Sequence, residues 1–312
     1  MWAPRYHAVM TSVDRLIRVA LPRGVSRCVE GDLAGLDIVT PAATGRVFFH
    51  GGHLTRWTPS HTGAPVIWTS AHSLFRADKA IRGGVPICFP WFGAHPTDAA
   101  LPAHGYARLE DWTLDRAETS DDDRVTLAFV LETGPETWAA WPHGCRATCT
   151  LTLGAALTLS LRVENTGSTP FTFEEALHTY CGVGDIREVS VTGLEQTDYL
   201  DKVAGFSRTR QGDDPIRFTG ETDRVYLDTT TTCRIVDPRL SRTIVIAKQQ
   251  SRNTVVWNPW SQRARAFSDF GDDEWQTMVC VETCNVRDAA IHLAPGATHT
   301  MQTEVRVEPH QR

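Results

Sequence analysis

Between Leu157 and Glu164, apolar and polar residues alternate without a break. Leu157, Leu159, Leu161 and Val163 interleave with Thr158, Ser160, Arg162 and Glu164. A period of two fits a strand with one buried face, because successive side chains of a pleated chain point to opposite sides. Residues 145–153 keep the same rhythm through Thr148, Thr150 and Thr152, and Gly154-Ala155-Ala156 joins the two stretches as a hairpin. Further strands are predicted over 125–131, 234–236, 243–247, 254–257 and 277–282. Gly, Pro, Asn and Asp interrupt the chain at intervals of about ten residues. No long stretch carries a 3.6 period, and short helical turns are expected near 70–79 and 259–263. Short strands divided by turns imply an all-β chain, folded as an antiparallel sandwich or a barrel.

The chain has 312 residues, with no linker-like tract and no internal repeat. One domain over 1–312, with its core at about 25–308, is therefore expected. Hydrophobic residues make up 41% of the chain and aromatic ones 9%, enough to bury a core and exclude disorder. No apolar run approaches the ~18 residues of a membrane span. Residues 1–20 lack the apolar stretch and cleavage site of a secretory signal, so a cytoplasmic location is expected. A net charge of −6 with no basic run argues against nucleic acid as a partner. Of 31 basic residues only Lys79, Lys202 and Lys248 are lysines, which reads as genome composition.

Eight cysteines stand at 28, 88, 145, 149, 181, 233, 280 and 284, and none forms a Cys-x-x-Cys pair. The pairs 145/149 and 280/284, if on strands, lie ~13 Å apart and cannot bridge. Reduced thiols acting as small hydrophobes are expected. Asp269-Phe270-Gly271 lacks the companion motifs of a kinase, and Gly182-Val183-Gly184 lacks the third glycine of a dinucleotide site. His50-Gly51-Gly52-His53 stands without a zinc or hydrolase motif. Asp269, Asp272, Asp273 and Glu274 read as a solvated turn, since their spacing is not that of a calcium loop. Neither a metal nor a cofactor is expected.

Four blocks carry chemistry. In Arg82-Gly83-Gly84-Val85-Pro86 two glycines permit a close backbone approach, and Arg82 could grip an anion with its fork of donors. The block also reads as a packing turn with a surface arginine. In His104-Gly105-Tyr106-Ala107-Arg108, His104 could bond a polar ligand and Arg108 an anion oxygen; a core histidine and an ordinary ion pair are the other reading. Residues 171–180, read as one strand, put Thr172, Glu174, Ala176, His178 and Tyr180 on one rather polar face, a rigid mount for a histidine acid or base. In 278–286 Glu282 ends an apolar run, so it is paired, protonated or functional if buried, and an exposed strand end otherwise. Asp223, placed just before a strand, could accept hydrogens from sugar hydroxyls.

Together these blocks resemble the aldose 1-epimerase superfamily, and within it the glucose-6-phosphate 1-epimerase branch. The matching pieces are Arg82-Gly83-Gly84-Val85-Pro86, Pro102-Ala103-His104-Gly105-Tyr106-Ala107-Arg108, His178-Thr179-Tyr180, Glu221-Thr222-Asp223, Val255-Val256-Trp257-Asn258-Pro259-Trp260 and Cys280-Val281-Glu282. They follow the family order from about 45 to 295. The resemblance implies a large antiparallel β-sandwich of the galactose mutarotase-like, supersandwich type with a concave sugar site. It implies that His178 is the general acid and Glu282 the general base. It also implies that Arg82 and Arg108 bind the 6-phosphate while His104 and Asp223 hold the sugar. The expected reaction interconverts the anomers of a hexose 6-phosphate, a small-molecule sugar phosphate, by a monomeric enzyme. Two other readings stay open: a mutarotase for an unphosphorylated or sulfonated aldose, and a non-catalytic carbohydrate-binding protein.

Overall fold

The structure is a computed structural model and describes residues 13–309. Residues 1–12, most of the stretch read as lacking a secretory signal, lie outside the described residues, as do 310–312. Among the described residues the strands form sheets of nine, eight, four and two members, and every pairing between these strands is antiparallel.

The alternating stretch Leu157–Asn165 lies inside the nine-stranded sheet, between Cys145–Leu153 and Thr298–Pro309. Its burial alternates residue by residue, with Leu157, Leu159, Leu161 and Val163 inside. Each such side chain contributes roughly 1.5–3 kcal/mol on burial. A slip of one residue would turn the whole row toward solvent, so the pattern sets the register. The predicted hairpin closes with the Gly154 N–H donating to the Ala156 carbonyl at 3.0 Å. On the other side of the core lies the eight-stranded sheet. Its order is Ser207–Arg210, Asp198–Asp201, Thr222–Tyr226, Asn253–Asn258, Met278–Asn285, Glu175–Leu177 and Ile87–Cys88, with Tyr180–Gly182 also paired to Met278–Asn285. Leu177, Val256, Val279 and Val281 from this sheet join Leu159, Leu161, Ile244, Ile246 and Met301 in one continuous core. The four-stranded sheet, Val25–Glu30 to His53–Pro59, adds Leu36, Ile38, Val47 and Trp57 to the same core. This is the antiparallel sandwich expected from the sequence.

The helical turn expected near 259–263 is found as Trp260–Ala264. The one expected near 70–79 is not helical. There Ser70 Oγ accepts the His72 N–H and Ser73 Oγ accepts the Arg82 N–H, so side chains offer the backbone an alternative to helix bonds. All eight cysteines are buried and unbridged. Among the described residues no helix is long and apolar enough to cross a membrane.

Candidate active site

Gly83 and Gly84 both have positive φ, +103° and +69°. A Cβ on Gly83 would lie 2.5 Å from Thr69 Cα, and one on Gly84 would lie 2.4 Å from His53 Nε2. The two glycines thus allow the close approach that their sequence implied. The turn presents Arg82, whose guanidinium meets Asp269 Oδ1 at 3.1 Å and lies 4.6 Å over the Phe267 ring. Asp269 is therefore not part of a solvated turn. Glu274 is also engaged, accepting from Ser70 Oγ and from the backbone of Ala71 and Gly271; only Asp272 and Asp273 of that cluster are exposed. His50 and His53 play structural parts, their Nε2 atoms paired with the carbonyls of Lys79 and Gly83.

His104 has φ +64°, a left-handed conformation uncommon outside glycine. The strain is held by its N–H bond to the Gly93 carbonyl at 2.7 Å and by the Phe89 N–H donating to its own carbonyl. Its Nδ1 accepts the Gly93 N–H at 3.3 Å, which leaves Nε2 for a ligand. Arg108 follows in the turn Ala107–Leu109. One terminal nitrogen donates to the Ala103 carbonyl at 2.7 Å, and its buried Nε has no partner.

Residues 171–180 are not one strand. Phe171–Phe173 pairs with Ile291–Leu293 in a separate sheet, while Glu175–Leu177 and Tyr180–Gly182 both pair with Met278–Asn285. The chain breaks at Glu174, whose carboxylate accepts the backbone N–H groups of Phe92 and Arg287. Pairing is interrupted again at His178-Thr179, where the Thr179 N–H turns back to the Leu177 carbonyl. The register survives the interruption. Leu177 opposes Thr283 and Tyr180 opposes Cys280, which sets His178 opposite Glu282. His178 Nε2 stands 3.3 Å from Glu282 Oε1.

The pair faces a cavity of charged and polar side chains, with a small apolar patch beside it. Cys88, Ala176, Val255 and Cys284 form a buried patch with Trp257 packed against it. Tyr180 stacks on the His178 ring at 4.8 Å. Glu282 is 1% exposed, and neither carboxylate oxygen has a hydrogen-bond partner. Burial holds its carboxyl well above the ordinary range, an effect Lys202 opposes and Asp223 reinforces. Burial likewise holds His178 well below its ordinary value, and Arg108, Arg82 and Lys202 add to the effect. The exposed strand-end reading of Glu282 is thereby excluded.

Asp223 lies within the strand Thr222–Tyr226, not before it, directly across from Trp257. Its Oδ2 accepts from Lys202 Nζ at 2.7 Å, and its Oδ1 is buried and unpartnered. All six residues singled out in the sequence line one cavity of about 290 Å³: Arg82, His104, Arg108, His178, Asp223 and Glu282. The same cavity is lined by residues that sequence reasoning did not assign, chiefly Lys202, Tyr180, Trp257 and Arg263. Trp257 and Tyr180 stood inside quoted motifs. The rarity of lysine was the available signal for Lys202. No cluster that could ligate a metal occurs among the described residues.

Residues 43–306 match the aldose 1-epimerase family. The chain belongs to that family. A protein of Escherichia coli K12, provisionally named a glucose-6-phosphate 1-epimerase, is 38% identical over 251 residues, covering 80% of this chain and 83% of that protein. One from Cenchrus ciliaris with the same provisional name is 36% identical over 258 residues, covering 80% and 77%. The crystal structure of a protein from Salmonella typhimurium, provisionally described as a mutarotase, superposes with a TM-score of 0.86 at 31% identity. It covers 96% of this chain and 99% of that one. Family membership and this likeness agree with the galactose mutarotase-like sandwich.

Proposed function

We propose that this aldose 1-epimerase interconverts the α and β anomers of a hexose 6-phosphate, with glucose 6-phosphate as the substrate. The observation that carries the reading is the 3.3 Å approach of His178 Nε2 to Glu282 Oε1 across one strand register. Ring opening needs a base at the anomeric hydroxyl and an acid at the ring oxygen. Both oxygens are borne by one carbon, so the two protein groups must stand side by side. Glu282 takes the hydroxyl proton while His178 protonates the ring oxygen. After rotation about C1–C2 the ring oxygen attacks the opposite carbonyl face, and the two proton transfers reverse. Each transfer is worth roughly 10²–10⁴-fold.

Arg82 and Arg108 supply cationic forks for the phosphate, and binding there is remote from the reacting carbon. Asp223 and His104 have acceptor or donor atoms left for sugar hydroxyls. Anomer exchange followed by NMR on glucose 6-phosphate beside free glucose tests the proposal. Faster exchange of the phosphorylated sugar is expected. Saturation by free galactose without preference for a phosphate, or binding without acceleration, would overturn it.

A further inference from the structure

A reacting histidine is ordinarily aimed by a hydrogen bond to its other ring nitrogen. His178 has no such bond. Its Nδ1 is buried without a partner, and neither oxygen of Glu282 is hydrogen-bonded. The 3.3 Å approach of Nε2 to Glu282 Oε1 is therefore a contact and not a tether. Rotation of an imidazole about its Cβ–Cγ bond is only broadly restrained. Something other than a hydrogen bond must hold the plane of this ring.

The rings around His178 differ in how they meet it. Trp257 and His104 approach edge to face, at 6.0 and 5.6 Å with interplanar angles of 81° and 69°. Tyr180 alone among the described residues lies flat against it, at 4.8 Å and 13°. Tyr180 is itself firmly held. Its N–H donates to the Gly84 carbonyl and its carbonyl accepts the Trp68 N–H, each at 3.0 Å. Its Cα stands opposite Cys280, two residues before Glu282 on the same strand. The Trp68 ring stacks on it at 5.8 Å and 16°.

We propose that Tyr180 is the positioning residue of the acid: its ring, stacked on His178, holds the imidazole in the plane that keeps Nε2 beside Glu282. The role of His178 as acid rests on the epimerase reading above. A stacked face restrains a ring without adding a donor or acceptor to it. Placement matters because a misplacement of about 1 Å can cost roughly 10²-fold in rate. The two ends of Tyr180 have different partners. The ring meets His178, while the hydroxyl lies beside the Arg82 guanidinium on the turn that Gly84 belongs to.

The test compares Tyr180→Phe with Tyr180→Leu and Tyr180→Met in the whole protein, with thermal denaturation to show which variants are folded. Phe keeps the flat ring and is expected to retain the parental kcat for glucose 6-phosphate. Leu and Met fill the space without a ring and are expected to lose roughly 10–10²-fold in kcat with little change in KM. A residue that only stabilises the fold would lower Tm and leave kcat intact. The ring protons of His178, assigned by their loss in His178→Gln, give a readout independent of turnover. They are expected upfield in the parent and in Tyr180→Phe, from the ring current of the stacked face. Unshifted signals in the parent, a folded Leu or Met variant with parental kcat, or a Phe variant as slow as these two would each overturn the inference. Parental exchange of glucose 6-phosphate leaves the epimerase reading standing in all those cases. If the parent exchanges no sugar, the epimerase reading falls, and the ring signals still decide whether Tyr180 holds His178.

Discussion

Lys202 donates to Asp223 Oδ2 across 2.7 Å, and its ammonium reaches the cavity beside Glu282. The Lys202 N–H also donates to the Asp223 carbonyl, so backbone and side chain tie the same two residues together. The pair places a positive charge where it opposes the effect of burial on Glu282. Under the proposed mechanism Lys202 thus has two tasks, orienting Asp223 as a hydroxyl acceptor and easing ionisation of Glu282 as the base.

Replacing Lys202 with Met separates them. Removing a cation raises the pKa of a neighbouring carboxyl, so Glu282 becomes ionised only at higher pH. The acid limb of the kcat/KM profile is expected to move to higher pH. An unmoved limb with a raised KM alone would restrict Lys202 to binding.

Glu282→Gln is expected to lose roughly 10²–10⁴-fold in anomer exchange, and His178→Gln a comparable factor. The two proteins should differ in stability. Glu282 is buried with neither oxygen hydrogen-bonded, and its folded-state pKa lies above its unfolded value. Its ionisation therefore destabilises the fold increasingly as pH rises above the ordinary carboxyl range. Glu282→Gln should show a higher Tm than the parent at pH 8, read by thermal denaturation.

Acid lability is expected from the buried histidines. His53 is fully buried, and burial pulls it from 6.5 to about 3. Between those values the unfolded chain binds a proton that the folded chain refuses. Stability therefore falls as pH drops from 6.5 toward 3, by about 1.4 kcal/mol per pH unit for each such histidine. Denaturant titrations of His53→Gln should show that slope reduced by one proton.

Two structural variants should separate fold from site. Leu159→Ala empties part of the core between the large sheets and is expected to cost about 2–5 kcal/mol, with kcat unchanged. Gly84→Ala places a Cβ against His53 Nε2 and the Leu54 carbonyl at a positive φ. It should destabilise by roughly 1–3 kcal/mol and also raise the KM for the phosphosugar, because Arg82 rides on that turn. Chemical denaturation and steady-state exchange measure both.

Much of the fold was legible because its signal is local. The alternation over 145–165 can come from little else than paired strands half-buried on one face. The crowded glycines at 83 and 84 and the buried carboxylate at 282 were legible for the same reason. Asp269 shows the limit. Its partner Arg82 lies 187 residues away, so nothing near it in the chain distinguishes an engaged carboxylate from a solvated one. The break in pairing at His178 was hidden similarly, because the partner strand keeps register on both sides of it. Lys202 sits just past a short strand of mixed burial whose pairing with Thr222–Tyr226 depends on topology.

The proposed acid and base are neighbours because two paired strands make them so, whereas Arg82, His104 and Arg108 are delivered by loops. The site therefore has two inheritances. Its reacting half is as durable as the sheet, and its recognising half can be exchanged by grafting a loop. A scaffold of this kind can change which sugars it accepts while the proton pair is left untouched.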